Sequence, residues 1–361
     1  MRLLFLCKRR PQYKDLLIRP YGRFYYLPHL LSEKGHEVYI LLLSYRSESS
    51  RTIKNGRTVW LSESVFGRNP MGYLSKASGL VRKINPHWIV GFSDIYYGIL
   101  AQRLAKKHGT RSAIDAYDNY ESYIPWLKPL HIVWRKAIRS ADLVTAAGPQ
   151  LAQYLNRFRP HKKVHIVPMA ADPTGFKPLD QQECRKKLNL PQNKKLIGYC
   201  GSIHQNRGIQ TVFSAYERVH HQNPNSLLIL SGRMQKKIRL PTNTKHLGYL
   251  SDDQIPILLN CMDILIVPNV LSAFGKYSYP VKLYEAINCG IPVVAADTEP
   301  MRWILNNRNS HLAKIGDPDD MATKVGNLLD LGKIDYGIQN TWENSSQIFE
   351  AALLENNRPY T

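Results

Sequence analysis

Nothing in the 361-residue chain approaches the ~18 consecutive apolar residues of a membrane span. The nearest run, "WIVGFSDIYYGILA", is interrupted by Asp94. The opening "MRLLFLCKRR" holds four apolar residues between Arg2 and Cys7, short of the ~7–15 of a secretory signal core. These absences set the expectation of a cytoplasmic chain. Cysteine is scarce as well. The five present (Cys7, Cys184, Cys200, Cys261, Cys289) are odd in number, scattered and without a C-x-x-C. That excludes a disulfide or zinc framework and favours reduced thiols, which makes the Asn344-Ser345-Ser346 sequon a coincidence. Acidic residues are the third shortage, 28 Asp and Glu against 49 Lys and Arg, for a formal charge of +21. Residues 1–175 hold 28 basic and 11 acidic residues (+17), and residues 176–361 hold 21 and 17 (+4). Such asymmetry points to an anionic partner for the first half, a membrane surface or nucleic acid, against the plainer reading of a solvated basic surface.

What is present is the composition of a soluble globular protein, 43% hydrophobic and 21% charged. The length predicts two domains. "LLFLC" reads as a buried strand, "GRFYYLPHLLSEKGHEV" as a helix stopped at Gly35, and "VYILLL" as the next strand, a βαβ unit. The apolar runs "HWIVGF", "RSAIDAY", "DLVTAA" and "VHIVPM" then alternate with helical segments. The pattern restarts after "VPMAADPTGFKP" with "KLIGYCG", "SLLILSG", "TKHLGYL", "DILIVPN" and "PVVAAD". Alternation of this kind predicts parallel sheets flanked by helices. The expected division is a first Rossmann-like domain over 1–175, a second over 176–345, and a helical tail over 346–361 that packs back on the first.

Doubly wound domains bind ligands at the carboxyl ends of their strands, which in a two-domain chain predicts a site in the cleft between them. "SYPVKLYEAINCGIPVVAAD" (278–297) is the stretch that best fits such a site. Pro280 suits the start of a helix, whose unpaired first-turn amides and dipole favour a phosphate. Helical spacing puts Lys282, Glu285 and Cys289 on one face and Leu283, Ala286, Ile287 and Gly290 towards the other, so Glu285 is expected to point away from the core. A carboxylate there suits the vicinal hydroxyls of a ribose. The plainer reading is an i, i+3 surface pair with Lys282.

The same stretch resembles the P-x-K-x-x-E…G-x-P-V-V signature of retaining glycosyltransferases with the GT-B fold, the glycosyltransferase family 4-like "glycosyl transferases group 1". "GRFYYLPHLLSEKGHEVYIL", "IDAYDNYES", "ADLVTAAGPQLAQYL", "GYCGSIHQNRGIQTVFSAYERV" and "HLGYLSDDQIPILLNCMDILIVPN" follow that family's order, so the resemblance covers residues 1–330. It implies two Rossmann-like domains facing across a cleft, a nucleotide-diphosphate-sugar as donor substrate and retention of configuration. Carried over by position, Glu285 would bind the donor ribose and the backbone of Val281 and Lys282 the diphosphate. Arg207, followed by Gly208, would neutralise the leaving diphosphate, and a cation is chemically required there. Gly22 would allow close approach of the phosphates, Gly201 and Ser202 would belong to the donor site, and Tyr249 would lie beside the base; His204, five residues before a helix and near Arg207, either faces the donor or is a plain loop histidine. The family's arginine after the strand glycine is replaced by Ser202, a vacancy Lys282 would fill. The first of its paired glutamates is replaced by Tyr277, and the histidine before the acceptor-domain Asp118 by Tyr117.

Other candidates are weaker. In "GDPDD", Asp317 reads as a helix N-cap and not as part of a D-x-D metal motif, and no metal or cofactor is expected. "GYCGSIHQNRG" is not G-x-G-x-x-G, which leaves a nicotinamide-binding fold without support. Asp118 and Glu121 are candidates for acting on the acceptor hydroxyl, or for capping a turn. Lys8, Arg9 and Arg10 follow the first strand, where they would meet an acceptor phosphate or a membrane. Lys14, Arg19, Arg23, Arg135, Lys136 and Arg139 join them as membrane candidates, with Trp126, Leu127 and Trp134 to enter the interface. The sequence therefore predicts a glycosyltransferase, peripheral at the inner face of a membrane, acting on a glycan or lipid-linked acceptor in cell-surface polysaccharide or glycolipid synthesis, and not a nucleic-acid-binding protein. Its rivals are a nucleotide-sugar 2-epimerase of the same fold and a basic nucleic-acid-binding protein, which would interleave aromatics with its cations.

Overall fold

The structure is a computed structural model that describes residues 1–66, 69–172 and 174–356. The last five residues of the expected tail, 357–361, lie outside the described residues. The chain forms two units, Met1–Met169 together with the segment from Asn340 onward, and Ala170–Gln339. The chain thus crosses between units a few residues before the 176 and 346 read from the sequence.

The first unit contains β1 (Arg2–Lys8), α1 (Arg23–Glu33), β2 (Glu37–Ser44), β3 (Arg51–Asn55), β4 (Thr58–Ser64), α2 (Asn69–Ile84) and β5 (Trp88–Gly91). It continues with α3 (Ile95–His108), β6 (Arg111–Ala116), α4 (Lys128–Ser140), β7 (Leu143–Ala146), α5 (Pro149–Asn156) and β8 (His165–Ile166). Its sheet runs β3-β4-β2-β1-β5-β6-β7-β8. Every pair is parallel except β3 with β4. That antiparallel edge hairpin departs from the all-parallel expectation. Its two-residue turn is Gly56-Arg57, between the paired Asn55 and Thr58, with glycine supplying the positive φ at the first turn position, and β3 is exposed along its whole length.

The second unit contains α6 (Gln181–Lys187), β9 (Lys195–Cys200), α7 (Ile209–Gln222), β10 (Ser226–Ser231), β11 (Thr244–His246), α8 (Gln254–Cys261) and β12 (Ile264–Val267). Then come α9 (Val281–Asn288), β13 (Val293–Ala296), α10 (Glu299–Ile304), β14 (Leu312–Ala313) and α11 (Pro318–Leu328). Its sheet is parallel throughout, in the order β11-β10-β9-β12-β13-β14. The central strands β1, β12 and β13 are buried nearly end to end, as continuous apolar runs covered by helices on both faces must be. Asp317 caps α11 by accepting from the amides of Asp319 and Asp320, the role its position predicts.

In a sheet wound both ways from its centre, ligands sit where the order reverses. That point lies between β1 and β5 in the first unit and between β9 and β12 in the second. The final helix α12 (Trp342–Glu355) belongs to the first unit and packs on α1. Trp342 stacks on Tyr26 with ring centroids 5.6 Å apart, and Glu350 accepts from Lys34 at 2.8 Å and pairs with His36 at 2.7 Å.

Candidate donor and acceptor sites

In the second unit the loops at the carboxyl ends of β9, β10, β11 and β12 carry the residues singled out in the sequence. The chain leaves β9 through Gly201 and Ser202, whose carbonyl accepts from the Tyr199 hydroxyl at 2.7 Å. His204 then caps a short 3-10 turn, Gln205–Arg207, by accepting from the Asn206 amide. The turn presents the Arg207 guanidinium over the ring of Phe274, 4.8 Å from its centroid. Phe274 belongs to the loop after β12, which Asn269 holds in shape: its Oδ1 accepts from the Val270 amide at 2.8 Å and its Nδ2 donates to the Gly275 carbonyl at 3.1 Å. The loops after the two strands at the switch point are therefore joined through a cation–π contact.

The loops after β10 and β11 are also fixed to the one after β9. A Cβ on Gly232 would lie 1.9 Å from the Gly201 carbonyl oxygen, so no other residue fits without moving the backbone. The Gly232 amide donates to the Gly248 carbonyl at 2.8 Å, and Arg233 lies over the exposed Tyr249 ring at 5.5 Å. Arg233, Phe274 and Asn269 were not anticipated. The signal available for them was position just beyond a strand, which many residues share.

Pro280 is the N-cap of α9, and Val281 and Lys282 open the helix. The expectation that Glu285 points away from the core is wrong: its side chain is 1% exposed. Helical spacing defines faces and not what covers them, and the residues on either side of Glu285, Tyr284 and Ala286, are buried with it. The carboxylate is paired with Lys282, 2.7 Å from its Nζ, and the plainer reading of a surface pair fails with it. A buried carboxylate beside a half-buried lysine is costly to desolvate unless paired and hydrogen-bonded. Nearby Cys289 is buried, and burial pushes its thiol up to about 12, which rules it out as a thiolate nucleophile near neutral pH.

In the first unit Gly22 is the N-cap of α1, with φ +65° and open space where a Cβ would stand. At the carboxyl end of β6, Asp118 is buried and accepts from the Tyr123 hydroxyl at 2.5 Å, and Tyr123 also reaches the Tyr117 hydroxyl at 3.3 Å. Burial and the Asp118 charge push the Tyr123 phenol far up, so Tyr123 stays protonated and donates. Glu121 is engaged otherwise. It accepts from Arg135 at 2.8 and 2.7 Å and from the Tyr154 hydroxyl at 3.0 Å, which makes it an anchor for α4.

The cations after β1 do not form the free basic cluster expected of them. Arg9 is buried and bonds Asp15 and Glu48, Arg10 bonds the same two carboxylates, and Lys8 lies 3.5 Å from Asp94. Arg23 is sealed against Asp115 and Trp134 is buried in the core, so neither is available to a membrane. Among the described residues no three or more His, Cys, Asp or Glu gather to hold a metal ion, and no helix is long and apolar enough to cross a membrane.

Family models match the two units in turn. "Glycosyl transferase 4-like domain" matches residues 23–170, and "Glycosyl transferases group 1" matches residues 180–341. The chain belongs to the GT-B glycosyltransferases. This enzyme family accounts for both the order of the segments and the repeated parallel sheet. The chain is similar to a D-inositol 3-phosphate glycosyltransferase of Corynebacterium jeikeium, 25% identical over 186 residues, 46% of this chain and 43% of that protein. It is similar also to a lipopolysaccharide core biosynthesis mannosyltransferase of Rhizobium meliloti, 22% identical over 209 residues, 54% and 57% of the two chains. The chain spans about half the length of the curated relatives it matches. Among solved structures, sucrose-phosphate synthase from Thermosynechococcus elongatus matches with a TM-score of 0.73 at 16% identity, over 98% of this chain and 96% of that one. HepE of Anabaena, solved with UDP and glucose, matches with a TM-score of 0.69 at 14% identity, over 99% and 97%. At these identities the likeness is one of fold.

Proposed function

We propose that the protein is a glycosyltransferase that moves a sugar from a nucleotide-diphosphate-sugar to a hydroxyl of a glycan or lipid-linked acceptor, with retention, in cell-surface polysaccharide or glycolipid synthesis. The observation that carries the donor half is the Lys282–Glu285 pair in the first two turns of α9, at the carboxyl edge of the second sheet. In this reading the first-turn amides of α9 and its dipole hold the diphosphate, and Lys282 adds positive charge. The Glu285 carboxylate accepts the ribose hydroxyls, and the Arg233–Tyr249 stack lies beside the base. Arg207 stabilises the charge that grows on the departing diphosphate, with the Phe274 ring keeping its fork in place. Asp118, oriented by Tyr123, faces the acceptor. HepE of Anabaena has been solved with UDP-glucose, which makes UDP-glucose the first donor to try.

The membrane half of the reading is supported by a smaller set of residues than the sequence suggested. Trp126 is 75% exposed, Leu127 and Ile132 are exposed beside it, and Lys128, Ile132 and Lys136 recur at intervals of four along α4, with Arg139 one turn on. Exposed apolar residues among cations suit the surface of an anionic leaflet, at about 1 kcal/mol per cation.

Thermal shift with UDP-, GDP- and ADP-sugars tests the donor reading, because a ligand of the native state raises the melting temperature with the logarithm of its concentration. A flat response to the whole panel defeats it. Sedimentation with phosphatidylglycerol vesicles tests the membrane reading: binding should vanish at high salt and with Lys128, Lys136 and Arg139 neutralised. Equal binding to neutral vesicles would refute it.

A further inference from the structure

The basic surplus of the first unit does not lie at the edge where ligands are expected. The three consecutive cations after β1 are matched by three carboxylates, Asp94 on Lys8, and Asp15 and Glu48 on Arg9 and Arg10. Uncompensated charge gathers at the other end of the same sheet.

Strands β5, β6, β7 and β8 are neighbours and parallel, so the segments that enter them share the amino edge. These segments are "RKINPH" (82–87), "KKHGTR" (106–111), "RSAD" (139–142) and "RFRPHKK" (157–163). Together they hold ten Lys and Arg and one carboxylate, Asp142. Hydrogen bonds hold them side by side. Thr110 Oγ1 donates to the Pro86 carbonyl at 2.5 Å, the Ser112 amide donates to Asp142 at 2.9 Å, and Arg159 donates to the Ala141 carbonyl at 2.7 Å. Each bond links a segment, or the strand it enters, to the next. Asp142 also accepts from the Ser112 hydroxyl at 3.2 Å, so the one carboxylate is turned to the backbone. Among the described residues none of Lys83, Lys106, Lys107, Arg139, Lys162 and Lys163 pairs with a carboxylate, and all six are exposed. Glu37 and Glu355 stand at the two ends of the edge, beside His87 and His165.

The plainer reading is that these cations close helices, because α2, α3, α4 and α5 all end here. A helix C-terminus carries about half a negative charge, so four of them offset about two cations. Ten exceed that several-fold. The remainder repel one another and add nothing to the fold, which points to an anion from outside the chain.

The kind of anion follows from what the edge lacks. No large apolar side chain of the four segments is exposed. A protein partner would be met by apolar and aromatic anchors, a bilayer by side chains that enter it, and a nucleic-acid strand by rings on which its bases stack. A hydrated chain that carries a charge on each repeat needs only the cations.

We infer that the amino edge of the first sheet is a docking surface for an acidic polysaccharide. Its carboxylate groups pair in succession with the cations entering β5, β6, β7 and β8. The six residues of β6 separate this edge from Asp118 by about 20 Å, so the surface is distinct from the proposed acceptor site. On the proposed glycosyltransferase function, it holds the body of an acidic glycan away from the end being extended.

The test is fluorescence anisotropy of the full chain with a labelled alginate hexasaccharide at low salt. Maltohexaose, polyglutamate, single-stranded and duplex DNA and phosphatidylglycerol vesicles are run in parallel. The alginate should bind, lose affinity as salt is added, and outcompete every other probe. The double variants Lys106→Gln with Lys107→Gln, and Lys162→Gln with Lys163→Gln, should each weaken it by about tenfold, as the loss of two ion pairs would. Lys236→Gln with Lys237→Gln, the same change of charge on an exposed loop of the second unit, should leave it unaltered. UDP affinity by calorimetry should be the same in all three variants, which shows that each is folded. Failure to bind alginate, maltohexaose binding as well as alginate, or a loss in the Lys236 and Lys237 variant equal to that at the edge would overturn the inference. So would tighter binding of DNA, polyglutamate or vesicles that the edge variants abolish, and each would name the true partner. UDP binding without alginate binding defeats this inference alone; alginate binding without UDP binding in the wild-type chain defeats the donor reading and leaves the docking surface standing.

Discussion

Arg23, the first residue of α1, donates to Asp115 at the end of β6 through two hydrogen bonds, 2.7 Å from Nε and 2.6 Å from Nη2, and neither side chain meets solvent. The same guanidinium donates to the Val167 carbonyl at 2.7 Å, and Thr145 Oγ1 donates to Asp115. One buried pair thus ties α1, β6, β7 and the segment after β8 together. Its position right after Gly22 fixes where α1 begins and so where the Gly22 loop lies.

Removing one partner leaves a charge buried without its counter-ion. Asp115→Ala should therefore destabilise the first unit by about 3–5 kcal/mol, read as a lower urea midpoint. A change below about 1 kcal/mol, the range of an exposed pair, would show that the pair is not sealed from water in solution.

Glu285→Ala strands Lys282 and removes the proposed ribose acceptor. Affinity for UDP-sugar should fall by about 1–3 kcal/mol, the cost of unpaired partners in a site built for them, and Glu285→Gln should recover part of it because an amide oxygen still accepts. Isothermal calorimetry decides. Unchanged affinity in Glu285→Ala would reduce the Lys282–Glu285 pair to a feature of folding.

Arg207 is proposed to act on charge that exists mainly in the transition state. Arg207→Ala should lower kcat by about 10²–10³ with a smaller change in KM. Phe274→Leu removes only the ring beneath the guanidinium and should cost under about 1 kcal/mol of transition-state stabilisation. Steady-state kinetics with donor varied at fixed acceptor separates the cases, and a mutant that keeps kcat and loses only KM places Arg207 in ground-state binding.

The seat of α12 is sensitive to acid. Burial on its own would raise the Glu350 carboxyl, but hydrogen bonds from Lys34 and His36 outweigh it and hold the group below its ordinary 4.5. With the folded value depressed, the folded state binds fewer protons than the unfolded one around and below pH 4.5. The stabilisation is fully present above 4.5 and is lost as pH falls through the lower folded value. Glu350→Gln should cost about 1 kcal/mol at neutral pH, allowing for the partial exposure of the cluster, and the difference from wild type should close in the acid limb. Melting temperatures of both chains across acid pH check this, and a gap that widens in acid would contradict it.

The sequence by itself determined the repeated alternation of strand and helix, the restart that makes two parallel-sheet units, the helix that follows Pro280 and the Asp317 cap. Each rests on hydrophobic period or on a side chain acting within three or four residues, which is information the local chain contains. It also determined that Lys282 and Glu285 share a helix face. What covers that face is a tertiary matter, and the carboxylate that helical spacing pointed away from the core is buried, with Lys282 paired to it. The same holds for Arg9 and Arg10, which read as free cations beside β1 until Glu48, 38 and 39 residues on, closes over them. It holds for Arg23 and Asp115, 92 residues apart, and for Arg207 and Phe274, which meet because β9 and β12 are neighbours. Which strand lies beside which is settled likewise, by packing of the whole sheet and not by any short stretch of chain.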